Sequence, residues 1–181
     1  GPEAPRCSKA MDTEGLVLHV SSFSKCLAPG YRLGWVAAGR YAKEVQRQKY
    51  STSLATAVPM QIALADYLKH GGFDNHLRHL RRQLARQEAQ LLAGIEEHFP
   101  PGIRLARPDG GYFLWLELPP RIDTLRLHEE ALAQGVSIAP GPIFSAKREF
   151  SNYLRLNFGH PATTRQDDAL ATLGRLIKRQ L

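Results

Sequence analysis

The chain contains little cysteine and no long apolar segment. Only Cys7 and Cys26 occur among its 181 residues, which excludes a disulfide framework and a four-thiolate metal site. No apolar run approaches the ~20 residues that a membrane-spanning helix needs. Residues 1–5 carry neither the basic nor the apolar part of a signal peptide. These absences favour a reduced, cytoplasmic setting.

The histidines and the first residue add two further expectations. The seven histidines are scattered and form no ligand arrangement with cysteine or paired carboxylates, so no metal site is expected. Because the chain begins with glycine rather than methionine, we expect it to have been cut from a longer polypeptide.

The positive charge does not by itself indicate a nucleic-acid surface. The formal net charge is +7, and the densest basic run lies between His76 and Arg86. Leu77, Leu80 and Leu84 recur in this region with the period of an amphipathic helix, which places the arginines mostly on the opposite face. No recognition motif accompanies the charge. A solvated helix face is therefore preferred over a DNA or RNA surface.

The pattern of elements changes near residue 74. Before it, the apolar run 16–20 predicts a buried strand of the parallel type, and a second strand is predicted at 33–37. The other predicted elements are helices at 40–50, 59–69, 74–98 and 124–134, strands at 103–106, 112–118, 136–139 and 153–158, a turn at 108–111, and a final helix with Thr164 as its N-cap. Residues 74–181 have enough elements for their own core, with Trp115 in it. The two earlier strands leave backbone groups and apolar faces uncovered, although Trp35 is also predicted to be a core residue.

Residues 21–35 combine the residue types that hold a phosphorylated aldehyde. Ser22, Ser24 and Lys25 follow the first predicted strand, where α/β proteins gather ligand-binding groups, and Arg32 comes seven residues after the lysine. Hydroxyls and arginine bind phosphate, and a lysine that loses its proton through burial and neighbouring cations forms an imine with an aldehyde. Pyridoxal phosphate requires both groups that bind its phosphate and an amine that forms an imine with its aldehyde. From the residues alone, a surface lysine and a solvated arginine on a turn stay open as the alternative.

A series of segments in one order resembles the fold-type I pyridoxal-phosphate aminotransferases. The cofactor-lysine segment is Ser22-Phe23-Ser24-Lys25, followed by Ala28-Pro29-Gly30-Tyr31-Arg32-Leu33-Gly34-Trp35. The later segments are Gln61-Ile62-Ala63-Leu64-Ala65, Gly110-Gly111-Tyr112-Phe113-Leu114-Trp115, Pro140-Gly141-Pro142-Ile143-Phe144 and Tyr153-Leu154-Arg155-Leu156-Asn157-Phe158. The resemblance implies an α/β PLP-transferase-like fold, α+β in its C-terminal part. Residues 1–73 would be the end of the PLP-binding large domain, and residues 74–181 the complete small C-terminal domain.

The sequences of two segments are similar to those of one subgroup, the MocR-type regulators. These segments are Cys26-Leu27-Ala28-Pro29-Gly30-Tyr31-Arg32 and Ile138-Ala139-Pro140-Gly141-Pro142. In this subgroup a GntR-type winged-helix DNA-binding domain precedes an aminotransferase-like domain. The resemblance to this subgroup therefore implies DNA binding only through an upstream domain. Members of the aminotransferase family are commonly dimers with sites completed across the interface, so the resemblance also implies a homodimer for the parent protein.

The resemblance also implies roles for individual residues. Lys25 would form the internal imine with pyridoxal 5'-phosphate and move the proton in transamination, and Ser22, Ser24 and Arg32 would hold the phosphate. Arg155 would bind the α-carboxylate of an amino acid. Strand alternation separately places Arg155 on the face opposite the apolar residues of its strand, although a solvated arginine stays open there without the family.

Other residues of the family's site are expected to precede Gly1. They are an aspartate at the pyridine nitrogen, an aromatic ring stacked on the cofactor, and an asparagine or tyrosine at its phenolic oxygen. Asp12 lies in a predicted turn and is not assigned the first role. Without that aspartate the cofactor is a weaker electron sink, so we expect this chain alone to bind it weakly and to have little transaminase activity.

Three functions follow from the resemblance. The first is the effector-sensing domain of a transcriptional regulator that binds an amino acid or amine through the lysine-cofactor imine. The second is part of a stand-alone metabolic aminotransferase, and the third is a domain that has lost the chemistry. The joint presence of Lys25, Arg32 and Arg155 argues against the third. A winged-helix pattern upstream would separate the first two.

Overall fold

The computed structural model describes residues 6–106, 110–161 and 163–181. The elements in chain order are β1 (His19–Ser22), β2 (Gly34–Ala37), α1 (Ala42–Ser53), α2 (Val58–Lys69), α3 (Gly72–His98), β3 (Arg104–Ala106), β4 (Phe113–Glu117), α4 (Thr124–Leu132), β5 (Ala139–Pro140), β6 (Tyr153–Asn157) and α5 (Thr164–Gln180). The predicted turn at 108–111 lies partly outside the described residues. Two compact units, Gly1–Leu80 and Arg81–Leu181, make up the chain. None of the described helices is long and apolar enough to cross a membrane.

The first unit contains a two-stranded antiparallel sheet. β1 pairs with β2, with His19 opposite Ala37 and Ser22 opposite Gly34. The predicted parallel strand is therefore wrong, whereas the second strand is confirmed within its predicted range. The reason lies in the connection, which reverses the chain so that consecutive strands pair directly.

The apolar side chains of this sheet are largely exposed. Val20 is 72% exposed and Trp35 44% exposed, so the prediction that Trp35 is a core residue is wrong. A continuous apolar run indicates a strand suited to burial on both faces. Among the described residues of this unit, none buries the side chain of Val20 as such a strand would require.

Two helices of the first unit follow the sheet, and the first is longer than predicted. α1 extends to Ser53, three residues beyond the predicted end of the helix at residue 50, and Ser51 and Thr52 donate their hydroxyls to carbonyls one turn earlier, at 2.9 and 2.8 Å. α2 has Pro59 in its first turn, as predicted. Gly71 follows it with a φ of +70°, a value that favours glycine.

The second unit is built on a four-stranded antiparallel sheet with the order β3-β4-β6-β5. The register places Trp115 of β4 opposite Arg155 of β6, and Arg155 opposite Ala139 of β5. All four strands are predicted from the sequence, but β5 is shorter and lies further along the chain than residues 136–139.

The two faces of this sheet differ. Leu114, Leu116 and Leu154 have no exposed surface and pack in the core. Each such leucine stabilises the fold by about 2 kcal/mol relative to an exposed one. The predicted stripe of α5 is confirmed in the same core, at Leu170, Leu173, Leu176 and Ile177. Trp115 is half-buried on the opposite face of the sheet, so its prediction as a core residue is wrong.

The helix ends of the second unit follow their capping chemistry with one correction. Asp123 accepts the backbone N–H of Leu125 and that of Arg126, at 2.9 and 3.3 Å, at the start of α4. The N-cap of α5 is Thr163 rather than Thr164, and its side chain makes no capping bond. Two adjacent threonines have the same capping chemistry, so their sequence does not distinguish these positions.

Candidate functional site

The connection between β1 and β2 folds back on itself. The Phe23 N–H donates to the Leu33 carbonyl at 3.0 Å, and the Phe23 carbonyl accepts from Leu27 and Ala28 at 2.9 and 3.1 Å. Across the hairpin, a Cβ at Gly34 would lie 2.7 Å from the Ser21 carbonyl oxygen. Only glycine fits this approach, so the loop closes tightly at the ends of both strands.

This closure brings Ser22, Ser24 and Arg32 together, and we call these three residues the anion cradle. Arg32 Nη1 donates to Ser24 Oγ at 3.3 Å, and the Ser24 backbone N–H donates to Ser22 Oγ at 3.1 Å. Ser22 Oγ also donates to the Leu33 carbonyl at 3.3 Å. The Ser22 hydroxyl is therefore already used in shaping the loop, whereas Ser24 and most N–H groups of Arg32 face no described acceptor.

Arg32 adopts a backbone conformation that is unusual for a residue with a side chain. Its φ and ψ are 52° and 37°, in the left-handed region at the end of a short 3-10 turn, Pro29–Tyr31. This conformation costs roughly 1–2 kcal/mol in a non-glycine residue. Such a cost at an exposed position supports a functional reason for the arginine.

Lys25 lies beside the anion cradle and is exposed. The burial that the sequence interpretation invoked around its amine is not provided by the described residues. Its Nζ has no hydrogen bond or ion pair within the described ranges. The amine is therefore accessible to a bound molecule.

The donors at this loop fit a phosphorylated aldehyde. Arginine and a serine hydroxyl supply charged and neutral hydrogen bonds to phosphate oxygens, and the adjacent Lys25 supplies a primary amine. Because Arg32 and Ser24 already contact each other at 3.3 Å, they meet a phosphate as one preformed group. The residues present therefore fit pyridoxal phosphate.

Asp12 is held in a separate network of the first unit. Its carboxylate accepts from Lys9 Nζ at 2.7 Å and from the backbone N–H groups of Leu16 and Val17 at 2.9 and 3.0 Å. The hydrogen bond from Lys9, together with these backbone donors, lowers the pKa of Asp12 against the opposing effect of desolvation. The carboxylate of Asp12 is thus bound by donors of its own loop.

Asp12→Asn is expected to lower the Tm of the protein most at neutral pH. The pKa of Asp12 is lower in the folded state than the unfolded value of about 3.9. Its stabilising contribution is therefore complete above that value and is lost as the pH falls through the folded pKa. The Tm difference between wild type and variant should shrink below about pH 4, while Asp168→Asn, at an exposed carboxylate on α5, should show no such trend. A constant difference down to acid unfolding would contradict this assignment.

The second unit places Arg155 on an aromatic sheet face, which we define as Phe113, Trp115 and Tyr153 together with Phe144 and Phe150 beside the sheet. The Arg155 guanidinium carbon lies 4.2 Å from the ring centre of Phe113 and 4.5 Å from that of Phe144. Trp115 packs edge-on against Phe144 and Phe150 and stacks on Tyr153, with ring centres 5.4–5.7 Å apart in this group. Arg155 is half-buried among these rings.

The acidic group of this sheet face is paired elsewhere. Glu117 lies opposite Tyr153, and its carboxylate is 3.6 Å from Arg104. Burial, and then the neighbouring Glu117 charge, raise the pKa of Tyr153. Among the described residues, Arg155 makes no ion pair and no hydrogen bond through its guanidinium. It is a cation without a described anion.

Sequence reasoning identified Arg155 but missed the rings around it. β4 alternates strictly, with Leu114 and Leu116 in the core and Phe113 and Trp115 on the other face. That alternation predicts aromatic neighbours for the outward residues of the next strand. Phe144 carries no such signal, because it lies in a short 3-10 turn, Gly141–Phe144.

No candidate metal site occurs among the described residues. Within residues 6–106, 110–161 and 163–181, no three His, Cys, Asp or Glu side chains are grouped to hold a metal ion. One of the histidines, His76, instead bonds through Nε2 to the Cys26 carbonyl at 2.8 Å.

The chain matches the family model for aminotransferase class I and II over residues 2–171. It is 44% identical over 181 residues to the HTH-type transcriptional regulator YdcR of Escherichia coli, with 100% of this chain and 39% of the relative covered. It is 34% identical to aromatic-amino-acid aminotransferase 1 of Thermococcus litoralis, over 96% of this chain and 42% of the relative. The chain therefore spans about two fifths of the length of these relatives.

Solved structures show the same fold. The kynurenine aminotransferase of Pyrococcus horikoshii, in complex with PMP, has a TM-score of 0.87 and 34% identity over 96% of this chain and 43% of that one. The α-aminoadipate aminotransferase LysN of Thermus thermophilus, complexed with N-(5'-phosphopyridoxyl)-L-leucine, has a TM-score of 0.83 and 30% identity over 90% of this chain and 42% of that one. These findings confirm the PLP-transferase-like fold, the resemblance to HTH regulators of the MocR type, and pyridoxal phosphate as the cofactor of the family.

Proposed function

Since the chain belongs to the class I and II aminotransferase family, we propose that it is the C-terminal part of an effector-sensing domain in a GntR/MocR-type transcriptional regulator. The effector is an amino acid or an amine. The observation that carries this proposal is the 44% identity to an HTH-type regulator over all 181 residues, in a chain that keeps Lys25 beside the anion cradle.

The first unit binds the cofactor in this proposal. Pyridoxal phosphate, when bound, supplies an aldehyde that reacts with primary amines and a ring that withdraws electrons. Lys25 holds it covalently through Nζ, which is accessible in the described structure. Arg32 and Ser24 hold the phosphate through their free N–H and O–H groups, and Ser22 joins them when its hydroxyl turns away from the Leu33 carbonyl.

The second unit binds the effector's carboxylate in this proposal. Arg155 presents a fork of N–H donors that matches the two oxygens of a carboxylate. Its lack of a described anionic partner supports this role. An amine without a carboxylate would then bind through its nitrogen alone, and more weakly.

The remaining assignments concern the complete polypeptide that carries this chain. Residues 1–73 would complete its large cofactor-binding domain, and residues 74–181 would form its small C-terminal domain. We assign to it a homodimeric state, a cytoplasmic location, and DNA contacts made by an upstream winged-helix domain.

A metabolic aminotransferase is the second candidate. Relatives named as aminotransferases reach 37% identity, and the same residues would then transfer an amino group from an amino acid to a 2-oxo acid. Lys25 would carry the proton between substrate atoms, and Arg155 would orient the carboxylate in both half-reactions.

The two candidates differ in what the effector changes. The complete polypeptide, loaded with pyridoxal phosphate, is titrated onto the DNA upstream of its own gene with each standard L-amino acid in turn. Regulation predicts that at least one amino acid shifts the DNA affinity by roughly 5- to 150-fold, the usual range of allosteric coupling. Lys25→Ala should remove the shift, whereas Lys43→Ala, at an exposed lysine on α1, should keep it.

Turnover is measured on the same samples with 2-oxoglutarate as the amino acceptor. A kcat of roughly 1 s⁻¹ or more, without DNA binding, would contradict the regulatory assignment and support the aminotransferase.

A further inference from the structure

We propose that Phe113 and Phe144 are positioning residues for Arg155, which clamp its guanidinium for edge-on binding of a carboxylate. This inference rests on the proposed function, because it takes Arg155 to be the group that binds the effector's carboxylate. It assigns a role to two rings that make no contact with the carboxylate themselves.

The clamp consists of contacts from two different elements. Phe113 opens β4 and lies 4.2 Å from the Arg155 guanidinium carbon, while Phe144 ends the 3-10 turn Gly141–Phe144 and lies 4.5 Å from it. Both distances are well within the ~6 Å of an effective cation–π contact. Rings that reach the guanidinium from separate elements restrict the rotation of a long, flexible side chain.

These contacts leave the hydrogen-bonding capacity of Arg155 intact. A ring face attracts the charge of a guanidinium and does not consume its five N–H donors as a carboxylate partner would. The described residues accept none of those donors. Arg155 is thus held in place while its binding edge stays available, so less side-chain entropy is lost when an anion binds.

Phe144 would contribute little if its role were only to fill the core. Its side chain is 41% exposed, and it is absent from the core of the unit. Its described aromatic partner is Trp115, which meets it edge-on at 5.5 Å. Trp115 in turn stacks on Tyr153, so the ring that touches Arg155 is braced from the sheet.

Phe150 offers a matched control on the same surface. Its side chain is 42% exposed, and it contacts Trp115 and Tyr153 rather than the guanidinium. Phe144→Leu and Phe150→Leu therefore remove the same ring from equally exposed positions, and only the first removes a contact with Arg155.

The test uses the complete polypeptide loaded with pyridoxal phosphate and two probes, L-alanine and ethylamine, which differ only in the carboxylate. L-alanine is chosen because its methyl group makes few contacts of its own. Phe144→Leu should raise the Kd for L-alanine about five- to tenfold. Phe144→Tyr, which keeps an aromatic ring at this position, should bind L-alanine with the wild-type Kd. The Kd for ethylamine should stay the same in every variant, and Phe150→Leu should behave as wild type.

A second readout does not depend on the cofactor. Ring currents from Phe113 and Phe144 should displace the Arg155 side-chain NMR signals in arginine-labelled polypeptide, and Phe144→Leu should move them toward their ordinary positions. Arg155→Gln, measured alongside, tests the carboxylate role of Arg155 separately from the aromatic clamp. If it weakens L-alanine binding while Phe144→Leu has no more effect than Phe150→Leu, the clamp is overturned; if Arg155→Gln itself changes nothing, the carboxylate role is overturned.

Discussion

Lys25→Ala is expected to abolish the visible absorbance of the pyridoxal-phosphate-loaded complete polypeptide after gel filtration. Lys25 directly follows Ser24 in the sequence, and its side-chain amine is exposed. Without it, the cofactor would be held only by noncovalent contacts, among them those proposed for Arg32 and Ser24, which lie 3.3 Å apart. Loss of the covalent bond should therefore release the cofactor during separation and remove any response to amines.

The control for this variant is Lys43→Ala, which removes an exposed lysine of the first unit from α1. It should retain the full absorbance. An unchanged spectrum in Lys25→Ala would show that another lysine carries the cofactor, and the assignment of the loop between β1 and β2 would be wrong. Circular dichroism of both variants checks that neither substitution unfolds the protein.

Arg155→Gln is expected to raise the Kd for L-alanine about 100-fold while the Kd for ethylamine stays the same. Hydrogen bonds to a charged group are worth about 1.5–3 kcal/mol, and about 2.7 kcal/mol corresponds to a 100-fold change in affinity. Glutamine keeps much of the side-chain length and loses the charge. The effect should therefore be confined to ligands that carry a carboxylate.

Arg126→Gln is the matched control for Arg155→Gln. Arg126 is exposed on α4 and bonds to Glu130 at 2.8 Å, so its loss should leave both affinities unchanged. Equal weakening of L-alanine and ethylamine by Arg155→Gln would indicate a general disturbance of the site, and would contradict the carboxylate role.

The helices and the second sheet were largely predictable because their patterns are local. The spacing of Leu170, Leu173 and Leu176 predicts the buried face of α5, and all three are in the core. Alternation in β6 likewise separates Leu154 from Arg155. In these elements, the contacts that matter repeat along a single helix or strand.

The first sheet was predicted less well because an apolar run indicates how far a strand can be buried and does not indicate which strand it pairs with. The apolar run around Val20 is suited to a fully covered strand, yet Val20 is 72% exposed and its strand pairs antiparallel with β2. The direction of pairing depends on the path of the connecting loop. Hydrogen bonds such as that from Phe23 to Leu33 determine that path, and they have no periodic signature.

The candidate site shows the same division. Ser24, Lys25 and Arg32 are recognisable from their motif, and the structure brings Ser24 and Arg32 to 3.3 Å. The left-handed backbone of Arg32 and the approach of Phe144 to Arg155 depend on tertiary geometry. Neither is visible in residue types or spacing.

The central claim is that this loop carries the cofactor on Lys25, and peptide mapping tests it most directly. The complete polypeptide, loaded with pyridoxal phosphate, is reduced with borohydride, digested and analysed by mass spectrometry. We expect the phosphopyridoxyl group on the peptide that contains Lys25 and on no other. A label on Lys9 or Lys43, with Lys25 unmodified, would contradict it.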